Sequence, residues 1–307
     1  MNWPTPPGIY GTAEPLFILL MALAIEAYLG GLPIRGGWVP RPRRAFARWV
    51  REVERRLNRP ERSAANRRLR GTVTVAAMVF AALAVGAAGG LVSRYYPFGW
   101  LIELLFLPLL LSQRGLWRRG AAVADALKDG SLIQAREALR PLVRERIEAS
   151  RLDGLDGAGL IEVTIAGMGL RFAALLVGPV FWYVVLGLPG LLMQQAAYVM
   201  DLTLGGRAGE FGRAAERLER IVSAPPRAIA ALFLAAAAAF IPGGKPLAAL
   251  RCVAARRGGP AAALAAAPGT ATGPARLARA LVVFAVACLF QAAFIGLLAL
   301  ARLSLGR

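Results

Sequence analysis

Apolar residues gather in long blocks along the chain, separated by stretches dense in arginine. The first block, Leu16 to Leu32, is apolar except for Glu26. Thr72 to Val92 is a second, of about 20 residues, enough at ~1.5 Å per residue to cross a hydrocarbon core of ~30 Å. Tyr95, Tyr96, Pro97 and Trp100 then make an aromatic turn, and Leu101 to Leu111 returns, carrying Glu103. Ile161 to Met200 is a longer block broken at Gly187-Leu188-Pro189-Gly190. Proline and glycine together end a helix, so this block reads as two helices, one of them a candidate re-entrant segment. Ala228 to Ile241 and Leu281 to Leu300 complete the series. The pattern predicts an all-α, polytopic membrane protein, a single domain over residues 1–307 with five to seven transmembrane helices. No period repeats along the chain.

The intervening stretches have their own patterns. Residues 35–71 hold thirteen arginines against Glu52, Glu54 and Glu61, a local balance of +10. Within them Phe46, Trp49, Val50, Val53 and Leu57 recur at helical spacing with arginine on the other face, which predicts an amphipathic helix lying on the membrane surface. Residues 113–158 read as polar cytoplasmic helices, with Ser131 and Gln134 forming a capping box. The segment 203–226 is charged and helical, and 254–275, rich in alanine, glycine and proline, reads as a loose low-complexity loop.

Composition sharpens the class. Hydrophobic residues make up 57% of the 307 positions and the mean hydropathy is +0.53, above the 45–50% of ordinary soluble domains. With 37 Lys+Arg against 18 Asp+Glu the formal net charge is +19. The arginine clusters lie between apolar blocks, where the positive-inside rule sets them in the cytoplasm. The chain is therefore expected in the inner membrane of a bacterial cell, with 35–71 and 113–158 cytoplasmic and anionic lipid headgroups as partners. Nucleic acid is not an expected partner, because no basic stripe with interleaved aromatics occurs on a soluble module. There is no histidine, which removes Ser-His-Asp and Cys-His nucleophiles and histidine-bound metals. Cys252 and Cys288 lie in alanine-rich helical sequence and read as small core residues rather than a disulfide.

The order of the motifs adds a likeness. Trp38-Val39-Pro40 with Pro42, then VREVERRLNRP (Val50 to Pro60), and above all VGPVFWYVVLGLPG (Val177 to Gly190) resemble the CobD/CbiB family of cobalamin-biosynthesis membrane proteins. ALKDGSLIQAREALRPLV and EFGRAAERLERI (Glu210 to Ile221) are similar to further family segments in the same order, and the likeness covers about three quarters of the chain. It implies ATP-driven amide coupling of a corrinoid carboxylate, adenosylcobyric acid, to aminopropanol or its phosphate, with Mg²⁺ held by carboxylates.

Carried over residue by residue, the likeness makes Asp201, Glu26 and Glu210 the candidate catalytic acids, with Asp201 the candidate metal ligand. Arg41 and Arg171 become candidate phosphate-binding residues. Elsewhere the chain departs from the pattern: the family's E-S-L-A-E-N-L-S-D-G is here Ala166 to Leu175, without an acid or amide. That segment predicts a scaffold stripped of most of its catalytic groups. The alternative to a divergent synthase is a non-catalytic accessory or AmpE-like sensor on the same scaffold, paired with another membrane subunit or a paralogue. Ionisable groups in apolar helices cost ~2.5–3.5 kcal/mol at mid-bilayer, so Glu26, Glu103 and Asp201 each require a partner or a wet cavity. Arg171 is expected either to bind an anion or to neutralise Asp201. Trp182 and Tyr183 read as packing and interface residues.

Overall fold

A computed structural model describes residues 14–30, 42–59, 61, 63–96, 98–143, 152–254 and 259–305. Among them every regular element is helical, as the apolar blocks predict. Five helical stretches are long and apolar enough to cross a membrane: Ala64–Tyr95, Gly99–Lys128, Gly157–Leu186, Gly209–Ala238 and Gly273–Ser304. In chain order, α1 (Pro15–Leu29) is a shorter apolar helix, and α2 (Pro42–Leu57) is the arginine-rich one. Helix α3 (Ala64–Tyr95) leads through an aromatic turn into α4 (Gly99–Leu110), which breaks at Leu111-Ser112 before α5 (Gln113–Lys128). Helix α6 (Leu132–Leu139) opens on Ser131, whose hydroxyl accepts from the Gln134 amide at 3.4 Å, as the capping box requires.

The long central block is built as the sequence anticipates. Helix α7 (Gly157–Phe172) runs through a wider π-type turn, Ala173–Val177, into α8 (Gly178–Leu186). Gly187, at φ 69°, takes a left-handed conformation that few residues other than glycine adopt. The chain then reverses into α9 (Leu188–Leu204). The two arms lie side by side: the Gly190 backbone lies against the Trp182 carbonyl, and Gly178 faces the Gln194 amide. On its other flank α9 packs along α3, where Gly86 lets the backbone of Pro189 approach and Gly71 does the same for Phe211. Helices α10 (Arg213–Ala238), α11 (Pro246–Ala254), α12 (Gly259–Ala266) and α13 (Gly273–Leu305) complete the bundle.

Two expectations are corrected. Part of the stretch read as a loose loop, 259–266, is helical, and Ala263, Leu264 and Ala267 are wholly buried. Alanine is the strongest helix former, Pro260 sits in the first turn, and small side chains let α12 close on the backbone of α7 at Gly169. The second concerns α2. Its apolar stripe covers protein, not lipid: Val50 is wholly buried with Ala196, Met200 and Leu204 of α9, and Phe46, Val53 and Leu57 pack on the same cluster. A short central helix needs a cover on that flank, and a face wide enough to bind a membrane is wide enough to supply one. Trp49 remains half exposed.

Candidate functional site

Helices α2, α4–α5, α7 and α9 converge around Arg43. Its Nε donates to Gln195 Oε1 at 2.7 Å, Nη1 donates to Ser112 Oγ at 3.2 Å, and Nη2 donates to the Leu110 carbonyl. The break between α4 and α5 supplies the last two acceptors. All three acceptors are neutral, so the guanidinium is oriented without being neutralised. Burial, the largest influence, pulls it down to about 10, with Arg171 and Arg119 pushing the same way against Tyr198 and Glu26. It therefore stays charged at neutral pH. Arg171 and Arg44 in turn lie within electrostatic reach of Arg119. Four arginines from three segments thus share one region, and among the described residues none of the four makes an ion pair.

The sequence-derived candidates fall into three groups. Glu26 is buried and accepts hydrogen bonds from the backbone amides of Arg114, at 3.2 and 3.3 Å, and Gln113. It caps the first turn of α5 and meets the positive end of that helix. It lies within electrostatic reach of Arg43, at the edge of the site. Arg171 belongs to the cluster, but its Nε and Nη2 donate to the carbonyls of Leu142 and Val143, at 3.0 and 3.5 Å. Asp201 is buried on α9, on the helix face of Gln194 and Tyr198, seven residues or roughly 10.5 Å beyond Gln194.

Glu210 stands apart. It pairs with Arg213 at 2.8 Å on the partly exposed turn Gly209–Gly212. Nearby, Asn58 at the far end of α2 reaches the Ala208 carbonyl at 3.5 Å, roughly 22 Å along that helix from Arg43. Arg41 lies outside the described residues. A magnesium centre built from Asp201, Glu26 and Glu210 does not fit this geometry, because Glu26 serves α5 and Glu210 serves Arg213. Among the described residues no three His, Cys, Asp or Glu gather where they could hold a metal.

Sequence reading missed Arg43, Arg44, Arg119, Ser112, Gln194 and Gln195. A basic helix reads as a lipid-binding face, and only the apolar stripe of α2 packing on α9 turns Arg43 inward. Glu103, which an apolar helix obliges to find a partner, has two. It accepts from Ser93 Oγ and from Tyr183 OH, each at 2.7 Å. Trp182 Nε1 donates to the Val222 carbonyl at 2.9 Å. Trp182 and Tyr183 of the FWY block therefore carry hydrogen bonds as well as packing.

Comparison with known proteins follows the same outline. The family model described as CobD/Cbib protein matches residues 19–283. The Cobalamin biosynthesis protein CobD of Rhizobium meliloti (strain 1021) is 30% identical over 233 residues, 75% of this chain and 70% of that protein. The protein of the same name from Stutzerimonas stutzeri (strain A1501) is 31% identical over 236 residues, 75% of this chain and 70% of its own. That of Brucella melitensis biotype 1 is 28% identical over 229 residues, covering 72% and 68%. No solved structure matches significantly. With its helical spans in order and a family model matched over most of its length, the chain belongs to the CobD/CbiB family.

Proposed function

We propose that this protein serves cobalamin biosynthesis in the inner membrane by holding the anionic substrates of the amide-coupling step, adenosylcobyric acid and aminopropanol phosphate, on its arginine cluster. The observation that carries this is the set Arg43, Arg44, Arg119 and Arg171, gathered in one region and making no ion pair among the described residues. Gathered cations repel one another and are costly when partly buried, and a carboxylate or phosphate relieves that cost through charge-assisted hydrogen bonds. Arg43 and Arg171 each keep guanidinium N–H groups beyond those their protein acceptors use. Tyr198 and Asp201 share the α9 face that borders the cluster, and Asp201 is the acid we assign to the reacting end of the substrate.

Binding without turnover, as an accessory subunit beside an intact paralogue, is favoured by one observation: the remaining candidate acids are committed elsewhere, Glu26 to the α5 amides and Glu210 to Arg213. ATP and Mg²⁺ are required only by the catalytic form.

One experiment separates the two. Purified protein in nanodiscs is given adenosylcobyric acid, aminopropanol phosphate, ATP and Mg²⁺, and both substrate binding and corrinoid amide formation are followed. Binding with turnover that Asp201→Asn abolishes establishes the synthase. Binding without turnover establishes the accessory form. Absence of binding to either anionic substrate sinks the proposal.

A further inference from the structure

Proline removes a backbone donor, and inside a membrane bundle no bulk water is available to serve the carbonyl left behind. The π-type turn at 173–177 closes with the Gly178 amide bonding to the Ala173 carbonyl, five residues back. In that register the next bond would run from residue 179 to the Ala174 carbonyl, and residue 179 is proline. Gln194 Nε2, from the opposite arm of the hairpin, donates to that carbonyl at 2.9 Å.

The direction of this bond fixes Gln194, and every bond downstream runs in the same sense. A carbonyl can only accept, so Gln194 must present its NH₂ group to Ala174 and its Oε1 to the other side. There Gln195 Nε2 donates to it at 3.1 Å and also, at 3.5 Å, to the Leu110 carbonyl that Arg43 shares. Gln195 must then turn its own Oε1 outward, where Arg43 Nε donates at 2.7 Å. Arginine has no acceptor, so the row of amides has a single polarity from end to end. Gln194 and Gln195 are both buried, and a reversal at either one would leave donor facing donor.

We infer that Pro179, Gln194 and Gln195 are positioning residues for Arg43: the carbonyl vacated by Pro179 sets the sense of an amide relay that aims the guanidinium into the anion site. This rests on the anion-binding reading of the cluster above. The relay carries no substrate contact itself.

The test uses the full-length protein in nanodiscs and inorganic pyrophosphate as the probe, with affinity measured by calorimetry. Pro179→Ala restores the backbone donor to Ala174 without changing charge or the site lining, and should weaken pyrophosphate binding three- to tenfold. Gln194→Leu should weaken it at least as much. Pro179→Ala should have no effect when Arg43→Gln or Gln194→Leu is already present, because its only route to the site is then cut. A Pro179→Ala loss that persists in the Arg43→Gln background would overturn the inference, since it would report general loosening of the hairpin. Hydrogen exchange at the Arg43 Nε–H, followed by ¹⁵N-arginine NMR, is the second readout and needs no ligand. Protection should be present in the native protein and lost in Pro179→Ala and Gln194→Leu. Equal protection in all three would also overturn it. If the native protein binds no pyrophosphate but shows this exchange pattern, the relay stands and the anion-binding reading falls.

Discussion

Trp182 donates its indole N–H to the carbonyl of Val222 at 2.9 Å, the carbonyl that Pro226, four residues further along α10, cannot serve. A side chain of the α8–α9 hairpin thus completes a hydrogen bond that another helix lacks. Removing the donor while keeping a ring, by Trp182→Phe, should cost ~1–3 kcal/mol, the penalty for a buried acceptor left unsatisfied. Pro226→Ala returns the backbone N–H, so the same Trp182→Phe change should cost clearly less in that background. Thermal unfolding of the four proteins in one detergent checks the coupling, and additive losses would refute it.

The arginine cluster predicts a graded response to charge removal. Arg43→Gln removes a partly buried, oriented guanidinium and should weaken pyrophosphate binding about tenfold or more, in line with ~1.5–3 kcal/mol for a charge-assisted bond. Arg44 is exposed, and Arg44→Gln should change affinity by no more than about threefold, an effect that salt diminishes. Titration calorimetry at two ionic strengths reads both.

The low Arg43 value gives a pH signature. The guanidinium is charged below about 10 and loses its proton as pH rises through that value, well below the ordinary arginine range. Its share of anion binding should therefore be fully present at neutral pH and vanish near pH 10. For folding the sign is opposite: above about 10, and below the ordinary arginine range, the unfolded chain still holds the proton and the native state does not, so this residue's contribution to stability rises with pH there. The difference between native protein and Arg43→Gln, measured from pH 8 to 11, isolates both effects from other titrating groups.

Glu26 and Glu210 should separate from the site in stability measurements. Glu26→Ala removes the cap of α5 and should cost about 0.5–2 kcal/mol, while pyrophosphate affinity remains within a few-fold of native. Glu210→Ala breaks a partly exposed pair with Arg213 and should cost under about 1 kcal/mol, with affinity unchanged. A loss of binding of tenfold or more in the Glu210 variant would place that residue back in the site.

Close backbone approach is the remaining check on the architecture. A methyl group on Gly86 would collide with the backbone of Pro189 at the start of α9. Gly86→Ala should force α3 and α9 apart at about 1–3 kcal/mol. Gly90, with open space around its Cα, accepts the same change without loss. Melting temperatures of the two variants should differ by several degrees.

Much of this protein was legible in the sequence because single-segment physics decides it. Apolar length gives the spans, and Gly187 with Pro189 gives the hairpin turn. A buried acid such as Glu103 must find donors wherever the fold puts it. The order of Val177–Gly190 and Glu210–Ile221 was enough to point to the family. Tertiary structure decided the rest, since it depends on which flank of a helix another helix needs. The stripe of α2 fits a membrane surface and a protein groove equally well as a pattern. Only the short α9, with Ala196, Met200 and Leu204 awaiting cover, turns it inward and brings Arg43 to Gln195. The carbonyl left open by Pro179 is likewise a fact of one segment. That Gln194 of the returning arm fills it, and so sets the sense of the row ending at Arg43, exists only once the two arms are packed.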